Sequence, residues 1–533
     1  MATPDKQVDV LIVGAGPAGL MLAVQLLRYG VRPTIIDKQP GPEKRAKTVM
    51  LHARALEIFR QIGMSDALLE AGVPSYGIQL RGPAGVGTAI NFGQEDPPIT
   101  PFPFILHVGQ DQVARLLINK LTDNACPVIW DTELADIRQD DHAAQVQVRY
   151  RGQLQQWQCA WVVGADGTQS AVRNGLGIAL EKRRQQQSLL VADLQLQDEV
   201  SRKIHVLLSN NGFLSFFPLA TPGRFRLLFS LPEDFNEATE SYHGRVNEEL
   251  SRMLGVMLPA GAWKWWTVLK SQSQIANAFS QQRSFLIGDA AHTYSPIGAQ
   301  GMNAGLHDAA NLAWKLAGVL RGEIAVRTLG SYSQERLFLA RPSLSRMDRL
   351  FGLLTASTPV KRFLRNRFFV GGIGFLERNR KSHRLFEAIA QLGLHYRRSA
   401  LSAHHANSRH IQAGDRVPFL SVYNEKTKTR TDLHRWCEKP GFTLLIMGTI
   451  DHHQLHIVGR WMRQKYPREM HLYYLPYSPR NSDVFNRFEL RPTATRIVLI
   501  RPDMHIGYMN DTLNVNLIDT YMEEILGWKY LDQ

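Results

Sequence analysis

The chain has 533 residues, 44% of them hydrophobic and 21% charged, with a formal net charge of +14. These values exclude wholesale disorder and a collagen-like fibre, and the length implies roughly two to four domains with room for a large core. A basic balance attracts acidic small molecules, anionic lipid or nucleic acid, but the cations are scattered and no helix-turn-helix, zinc-finger or RNP-type pattern accompanies them, so nucleic-acid binding is not expected.

The first elements are the most informative. Val8–Val13 is a β-branched apolar run, the mark of a buried parallel strand. A Gly-rich turn follows, then a helical stretch from Pro17 to Tyr29 that Gly30 ends, and a second strand over Pro33–Asp37. This βαβ unit places its two strands side by side. The apolar stretch from Val8 to Leu27 is not read as a signal peptide, because Asp9 and a Gly-x-Gly-x-x-Gly interrupt it and no small-residue cleavage site follows. In that motif Gly14 permits the tight turn, Gly16 lets backbone approach a pyrophosphate, and Gly19 allows close packing of helix on strand. The helix N-terminus offers free N–H groups to phosphates, and Asp37 ends the second strand where an acid can accept from ribose hydroxyls. The unit reads as a dinucleotide site.

Residues 72–105 are rich in Gly and Pro and irregular. Gln110–Leu121 reads as a helix, and Val146–Tyr150 and Trp157–Val163 as strands. Alternation over 185–280 suggests an antiparallel sheet. It carries Phe213, Phe216, Phe217, Phe225 and Phe229 without revealing which face each occupies, and it includes Trp263–Thr267 as a strand. A helix spans about 303–320, and less regular helices extend to about 395. His404–Gly414 is polar and reads as a linker. Beyond it, strands at GFTLLIMG, HLYYLP and ATRIVLIRPD alternate with helices near His453–Lys465 and Leu517–Leu526, which suggests a separate α/β domain.

Other chemistries find little support. Cys126, Cys159 and Cys437 are far apart and form no CxxC, which argues against a zinc ribbon or dithiol pair and fits a reducing, cytoplasmic setting. His452, His453 and His456 lack an acidic or Cys partner at a familiar ligand spacing, so no metal site is expected; Asp451–His453 reads as a polar turn. No Gly-x-Ser-x-Gly occurs. No apolar run approaches the roughly 18 residues of a membrane span, so no membrane partner is expected.

Two later segments join the first motif: WVVGADGTQSAVR (Trp161–Arg173) and FLIGDAAHTYSPIGAQGMN (Phe285–Asn303). Together the three, in this order, resemble the signature segments of the class A FAD-dependent aromatic hydroxylases, the family of p-hydroxybenzoate hydroxylase and phenol hydroxylase, over roughly the first 400 residues. The resemblance implies an α/β fold in which a Rossmann-like FAD-binding domain (1–73, 106–180 and 281–355) interleaves with an antiparallel-sheet substrate domain (74–105 and 181–280). A helical connection (356–405) and a thioredoxin-like α/β domain (410–533) would follow. It implies FAD contacts at Gly14, Ala15, Gly16, Gly19, Asp37, Lys38, Arg45, Gln110, Leu134, Asp166, Asp289, Pro296, Gly301, Met302 and Asn303. Asp289 would accept from the ribityl chain, and the helix after Pro296 would set its positive end against the pyrimidine edge of the flavin. Pro296, Arg54 and His52 are the flavin-face candidates, and no residue is certainly catalytic.

The implied reaction is hydroxylation of a phenolic or polycyclic aromatic substrate through a flavin C4a-hydroperoxide, with NADPH or NADH as transient reductant and O₂ as co-substrate. A homodimer is the assembly it suggests. Oxidation or inactivation of an antibiotic or other polyketide, and a non-catalytic flavin-binding scaffold, stay open as alternatives.

Overall fold

The computed structural model describes residues 4–530 apart from 44–49, 83–86, 94–97, 184–186, 197–202, 210–211, 232–240, 256, 260, 356–357, 366–370, 373, 376–381 and 426. The opening strand Lys6–Val13 is buried over its last four residues, as β-branched residues covered on both faces must be. It pairs in parallel with Thr34–Ile36 on one side and with Gln153–Gly164 on the other, and the latter pairs in parallel with Ser284–Leu286. Three strands drawn from distant parts of the chain therefore end together, with Val13 opposite Gly164 and Gly164 opposite Leu286. The strands Thr132–Gln139 and Ala144–Tyr150 extend this sheet in antiparallel fashion.

The helix Pro17–Arg28 packs along the 21-residue helix Gln300–Leu320. Small residues bring them together: a Cβ at Gly305 would lie 3.1 Å from both Ala18 Cβ and Gly288 Cα. Asp308 then locks the corner. Its carboxylate accepts from the Gly288 amide at 3.0 Å and pairs with His292 at 2.8 Å and Arg336 at 2.6 Å. Burial works to raise the Asp308 pKa, but His292 and Arg336 outweigh it and hold the acid well below the ordinary carboxylate range.

A second sheet has seven strands in the spatial order Trp263–Ser271, Gln187–Gln195, Arg224–Ser230, Gly212–Pro218, Ile204–Ser209, Gly77–Arg81 and Gly87–Asn91. It is antiparallel except where Ile204–Ser209 runs parallel to Gly77–Arg81. The Gly/Pro-rich stretch that looked irregular thus supplies two strands of this sheet. A five-stranded mixed sheet lies near the C-terminus, in the order Ala403–His405, Ile506–Asn510, Thr495–Ile500, Phe442–Gly448, Met470–Leu475. The helix His452–Lys465 connects its two parallel strands Phe442–Gly448 and Met470–Leu475. Asp451 begins that helix by accepting from the His453 amide, so the supposed turn is a helix cap. His404–Gly414 is not a free linker either. Glu489 accepts from Ser408 Oγ and from the Arg409 and His410 amides, and the Gly414 amide donates to the Ile506 carbonyl.

The C-terminal sheet is bound to the first domain by buried charge. Arg501 donates to Glu335 at 2.6 and 3.0 Å and to Asp503 at 2.5 Å, and Lys315 reaches Glu335 at 2.8 Å, with all four groups almost fully buried. All three cysteines are buried and unpaired, and burial pushes the Cys437 thiol up to about 12, which makes it unreactive. Among the described residues no helix is long and apolar enough to cross a membrane, and no group of three metal-ligating side chains occurs.

Candidate active site

The three signature segments line one cleft of about 550 Å³. Gly16 and Pro17 come from the first turn, Ala165, Gly167 and Thr168 from the second, and Asp289, Pro296, Gly301 and Met302 from the third, with Gln110 at the side. The glycines divide their work as geometry demands. Gly14 has φ +106°, and a Cβ there would sit 2.4 Å from the Ala165 carbonyl oxygen. A Cβ at Gly19 would sit 2.1 Å from the Gly14 carbonyl oxygen. Gly16 has no atom within 4 Å of its Cβ position. Two glycines therefore close the turn, and the third leaves backbone open to the cleft. The helix that starts at Pro17 has no side-chain cap and no acid in its first turn. Its leading N–H groups and positive dipole end are thus available to a pyrophosphate. These features fit FAD.

The remaining expected contacts divide into those that reach the cleft and those that shape it. Asp37 accepts from the Ala15 amide at 2.7 Å and the Gln39 amide at 2.9 Å, so it braces the turn. Lys38 beside it is exposed. Gln110 opens the helix Gln110–Asp123 and lines the cleft. Leu134 is buried opposite Val148, away from the cleft lining. Asp166 turns its carboxylate to the Ala171 and Val172 amides at 2.7 and 3.2 Å, fixing the short helix Ala171–Gly175 while its neighbours form the wall. Burial raises its pKa. Asp289 is exposed in the cleft, and a Cβ at Gly301 would lie 3.8 Å from its Oδ1. Arg45 lies outside the described residues.

The loop from Pro296 to Gly301 is conformationally demanding. Gly298 has φ +75°, and Ala299 is left-handed at φ +48°, uncommon for a residue with a Cβ. The Pro296 carbonyl accepts from the Ala299 amide at 3.1 Å. Asn303 holds the loop in place. It is fully buried, donates to the Ala299 and Met50 carbonyls at 2.9 and 3.1 Å, and accepts from the His52 amide at 2.9 Å. Its side chain joins the loop to Met50–His52 and is not spare for a cofactor.

Beyond the cleft lies a cavity of about 910 Å³, and Met50, Phe217 and Leu228 line both. Its walls are largely apolar: Ile78, Leu80, Ile90, Ile204 and Val206 from the second sheet, Met347, Leu350 and Leu354 from the helix Gly330–Leu354, and Leu385 and Ile389 from Ser382–Ile389. Of the five phenylalanines of this sheet Phe217 lines it, whereas Phe213 packs in the main core, Phe229 in the sheet's other core, and Phe216 stacks on His205 and meets Phe225 edge-on. His52 lines the cavity, with neither ring nitrogen in hydrogen-bond geometry. Burial pushes its pKa down to about 4, only partly opposed by the Gly298 backbone, so it is neutral at physiological pH. His107 next to it bonds Ser75 Oγ at 2.9 Å, and burial, helped by His52, lowers it to about 3. Arg54 does not reach this space. Its guanidinium donates to Glu57 at 3.1 Å and to the Asp503 carbonyl at 2.8 Å. Sequence reasoning missed Asp308, His107 and the cavity face of the helix Gly330–Leu354. The apolar spacing Met347, Leu350, Leu354 was the signal for the last.

Known proteins agree with this geometry. A family profile described as an FAD binding domain matches residues 7–346. The chain is 33% identical over 405 residues to the 6-methylpretetramide 4-monooxygenase of Streptomyces rimosus, covering 74% of this chain and 71% of that one. It is 33% identical over 358 residues to the pentachlorophenol 4-monooxygenase of Sphingobium chlorophenolicum, covering 64% of each. In fold it is similar to the flavin-dependent monooxygenase PieE, solved with FAD and substrate, at a TM-score of 0.81 and 21% identity over 98% of this chain and 100% of that one. The OxyS anhydrotetracycline hydroxylase from Streptomyces rimosus gives 0.79 and 24% over 98% and 99%. The chain is a FAD-dependent monooxygenase and belongs to the family of class A flavoprotein aromatic hydroxylases.

Proposed function

We propose that the protein hydroxylates a multi-ring phenolic substrate, using NADPH or NADH and O₂. The observation that carries this reading is the continuity of the FAD cleft with a large apolar cavity through Met50, Phe217 and Leu228. A single ring would leave most of about 910 Å³ unfilled and admit water where the reaction needs it excluded. Relatives named for 6-methylpretetramide and for pentachlorophenol support an aromatic substrate. When bound, FAD would supply the redox chemistry that links a nicotinamide reductant to O₂ and the substrate.

The protein's own part is placement. The Pro17–Arg28 N-terminus and Gly16 would hold the pyrophosphate, Asp289 the ribityl chain, and Pro296, Gly301 and Met302 the ring's edge. Asn303 keeps that loop in register with Met50 and His52. His52, neutral and with only the Gly298 backbone near its ring, is suited to bond a substrate hydroxyl. The C-terminal sheet is proposed to be thioredoxin-like in arrangement, supported by its βαβ start and two following antiparallel strands, without dithiol chemistry.

The test is NADPH and NADH oxidation by the yellow, purified protein against monocyclic and polycyclic phenols, with product mass measured. Stimulated oxidation with one oxygen atom gained only on polycyclic compounds supports the reading. Turnover confined to single-ring phenols overturns its size argument, and oxidation without oxygen gain overturns hydroxylation.

A further inference from the structure

The cavity is apolar except for a few groups, and one of these has no counterpart. Arg346 lines it from the helix Gly330–Leu354, on the face that also carries Ser343, Met347 and Leu350. Among the described residues Arg346 has no hydrogen-bond or ion-pair partner. The positions one helical turn away are Pro342, Ser343, Arg349 and Leu350, so its own helix supplies no acid either. The other cavity arginine, Arg384, has Glu387 three residues on in the helix Ser382–Ile389.

The location of Arg346 is defined by its neighbours. Met347 Sδ lies 4.0 Å from the Cβ position of Gly298, in the loop that borders both spaces. Tyr294, which lines the FAD cleft, lies close enough for the Arg346 charge to act on its hydroxyl, as do Arg336 and Asp308. Burial outweighs these and keeps the Tyr294 pKa up at about 12, so Tyr294 stays neutral and supplies no counter-charge. An unpaired guanidinium beside apolar walls, at the end of the cavity next to the flavin cleft, attracts a negative oxygen.

We propose that Arg346 binds an anionic oxygen of the substrate, a phenolate or enolate, and thereby selects multi-ring compounds that carry an acidic ring hydroxyl. This rests on the reading of the cavity as the substrate site. The hydroxyl proton leaves to solvent, and the O⁻ form enriches the ring carbons that an electrophilic oxygen donor attacks. Because Arg346 is itself exposed, solvent screens it, and the expected preference is about ten-fold, the low end for a charge pair.

The test uses FAD-loaded protein without reductant, so turnover plays no part. Alizarin, a three-ring phenol whose anion has a red-shifted band, is titrated with pH in the bound state, and alizarin dimethyl ether serves as the neutral probe. The expected result is a bound alizarin pKa about one unit lower in the wild type than in R346Q, largely restored in R346K and unchanged by R349Q, with the ether binding wild type and R346Q equally. A bound pKa that is the same in wild type and R346Q, or an ether that binds wild type as tightly as alizarin, overturns the proposal. If neither probe binds wild type at all, the multi-ring reading of the cavity fails and the proposal falls with it. Unchanged FAD content and melting temperature in the variants separate these outcomes from misfolding.

Discussion

At the scale of single residues, the three glycines of the first turn make separable predictions. Gly14→Ala would force a Cβ to 2.4 Å from the Ala165 carbonyl oxygen at a left-handed φ. It is expected to destabilise the fold, by more than the 1–3 kcal/mol that backbone strain alone costs. Gly16→Ala meets no protein atom within 4 Å and should leave the melting temperature of the cofactor-free protein within about 1 °C, since it costs well under 0.5 kcal/mol. The same methyl stands where the pyrophosphate approaches, so flavin bound per chain, read from absorbance, should fall sharply in Gly16→Ala. Equal flavin content in wild type and Gly16→Ala would refute this division of labour. The buried histidines carry a pH prediction. His52 and His107 have folded pKa values of about 4 and 3, below the usual 6.5. They stay neutral when folded but charge when unfolded, so stability is full above about pH 6.5 and declines as pH falls toward 4, by up to about 3 kcal/mol for His52. Urea midpoints measured from pH 7.5 to 4.5 should drop less steeply in His52→Gln than in wild type.

At the scale of elements, the loop Pro296–Gly301 combines strain with a clamp. Ala299 is held left-handed at φ +48°, and Asn303 satisfies three backbone groups around it. Ala299→Gly removes the conformational penalty and should change stability by less than about 1 kcal/mol in either direction, because relief of strain is offset by added freedom in the unfolded chain. Asn303→Leu leaves the His52 amide without its acceptor and takes one donor each from the Met50 and Ala299 carbonyls in a dry site, and should cost about 2–4 kcal/mol. Asn303→Asp keeps the acceptor for the His52 amide but faces the two carbonyls with oxygen, so it is expected to be no better than Leu. Urea unfolding of the three variants checks the order, and a mild effect of Asn303→Leu would show that the loop does not depend on this clamp.

At the scale of the whole molecule, the C-terminal sheet is fastened to the first domain through ions rather than a purely apolar seam. Burial works to raise the Glu335 pKa, but Arg501 and Lys315 outweigh it and hold the acid well below its ordinary range, and Asp503 is lowered by Arg501 in the same way. Removing one member leaves uncompensated buried charge. Glu335→Gln should therefore cost about 3–5 kcal/mol. Since folded values below the unfolded ones contribute stability above about pH 4 and lose it as pH falls further, the gap between wild type and Glu335→Gln should narrow only below about pH 4. Arg54 and Arg416 extend the seam by meeting at Glu57, at 3.1 and 2.9 Å. This explains why Arg54, two residues on from the cavity residue His52, serves cohesion instead.

The turn and helix start that border the cleft were legible because they are built from local rules. A tight turn needs glycine where φ is positive, a phosphate site needs an uncapped helix start, and a strand buried on both faces needs an unbroken apolar run. Gly14, Gly16 and Gly19 could be picked from a short segment for that reason, whereas Gln110, Asp289 and the Pro296–Met302 loop, like the order of three βα corners, were reached through the family resemblance of their segments. What a side chain does once it is there depends on partners hundreds of residues away, which local pattern does not encode. Asn303 clamps rather than offers itself, Asp166 fixes a helix, Arg54 turns to Asp503, and Asp308 locks Gly288 to His292. The apolar cavity proposed for the substrate belongs wholly to that second kind. Its walls come from the second sheet, two of whose strands lie in the Gly/Pro-rich stretch, and from two later helices. Its size, and the charge of Arg346 that is unpaired among the described residues, arise only when these distant surfaces meet. The sequence by itself determined the cofactor chemistry, and the tertiary structure alone decided the size and lining of the apolar cavity beside the cleft, because a cavity is the part of a fold that no single segment carries.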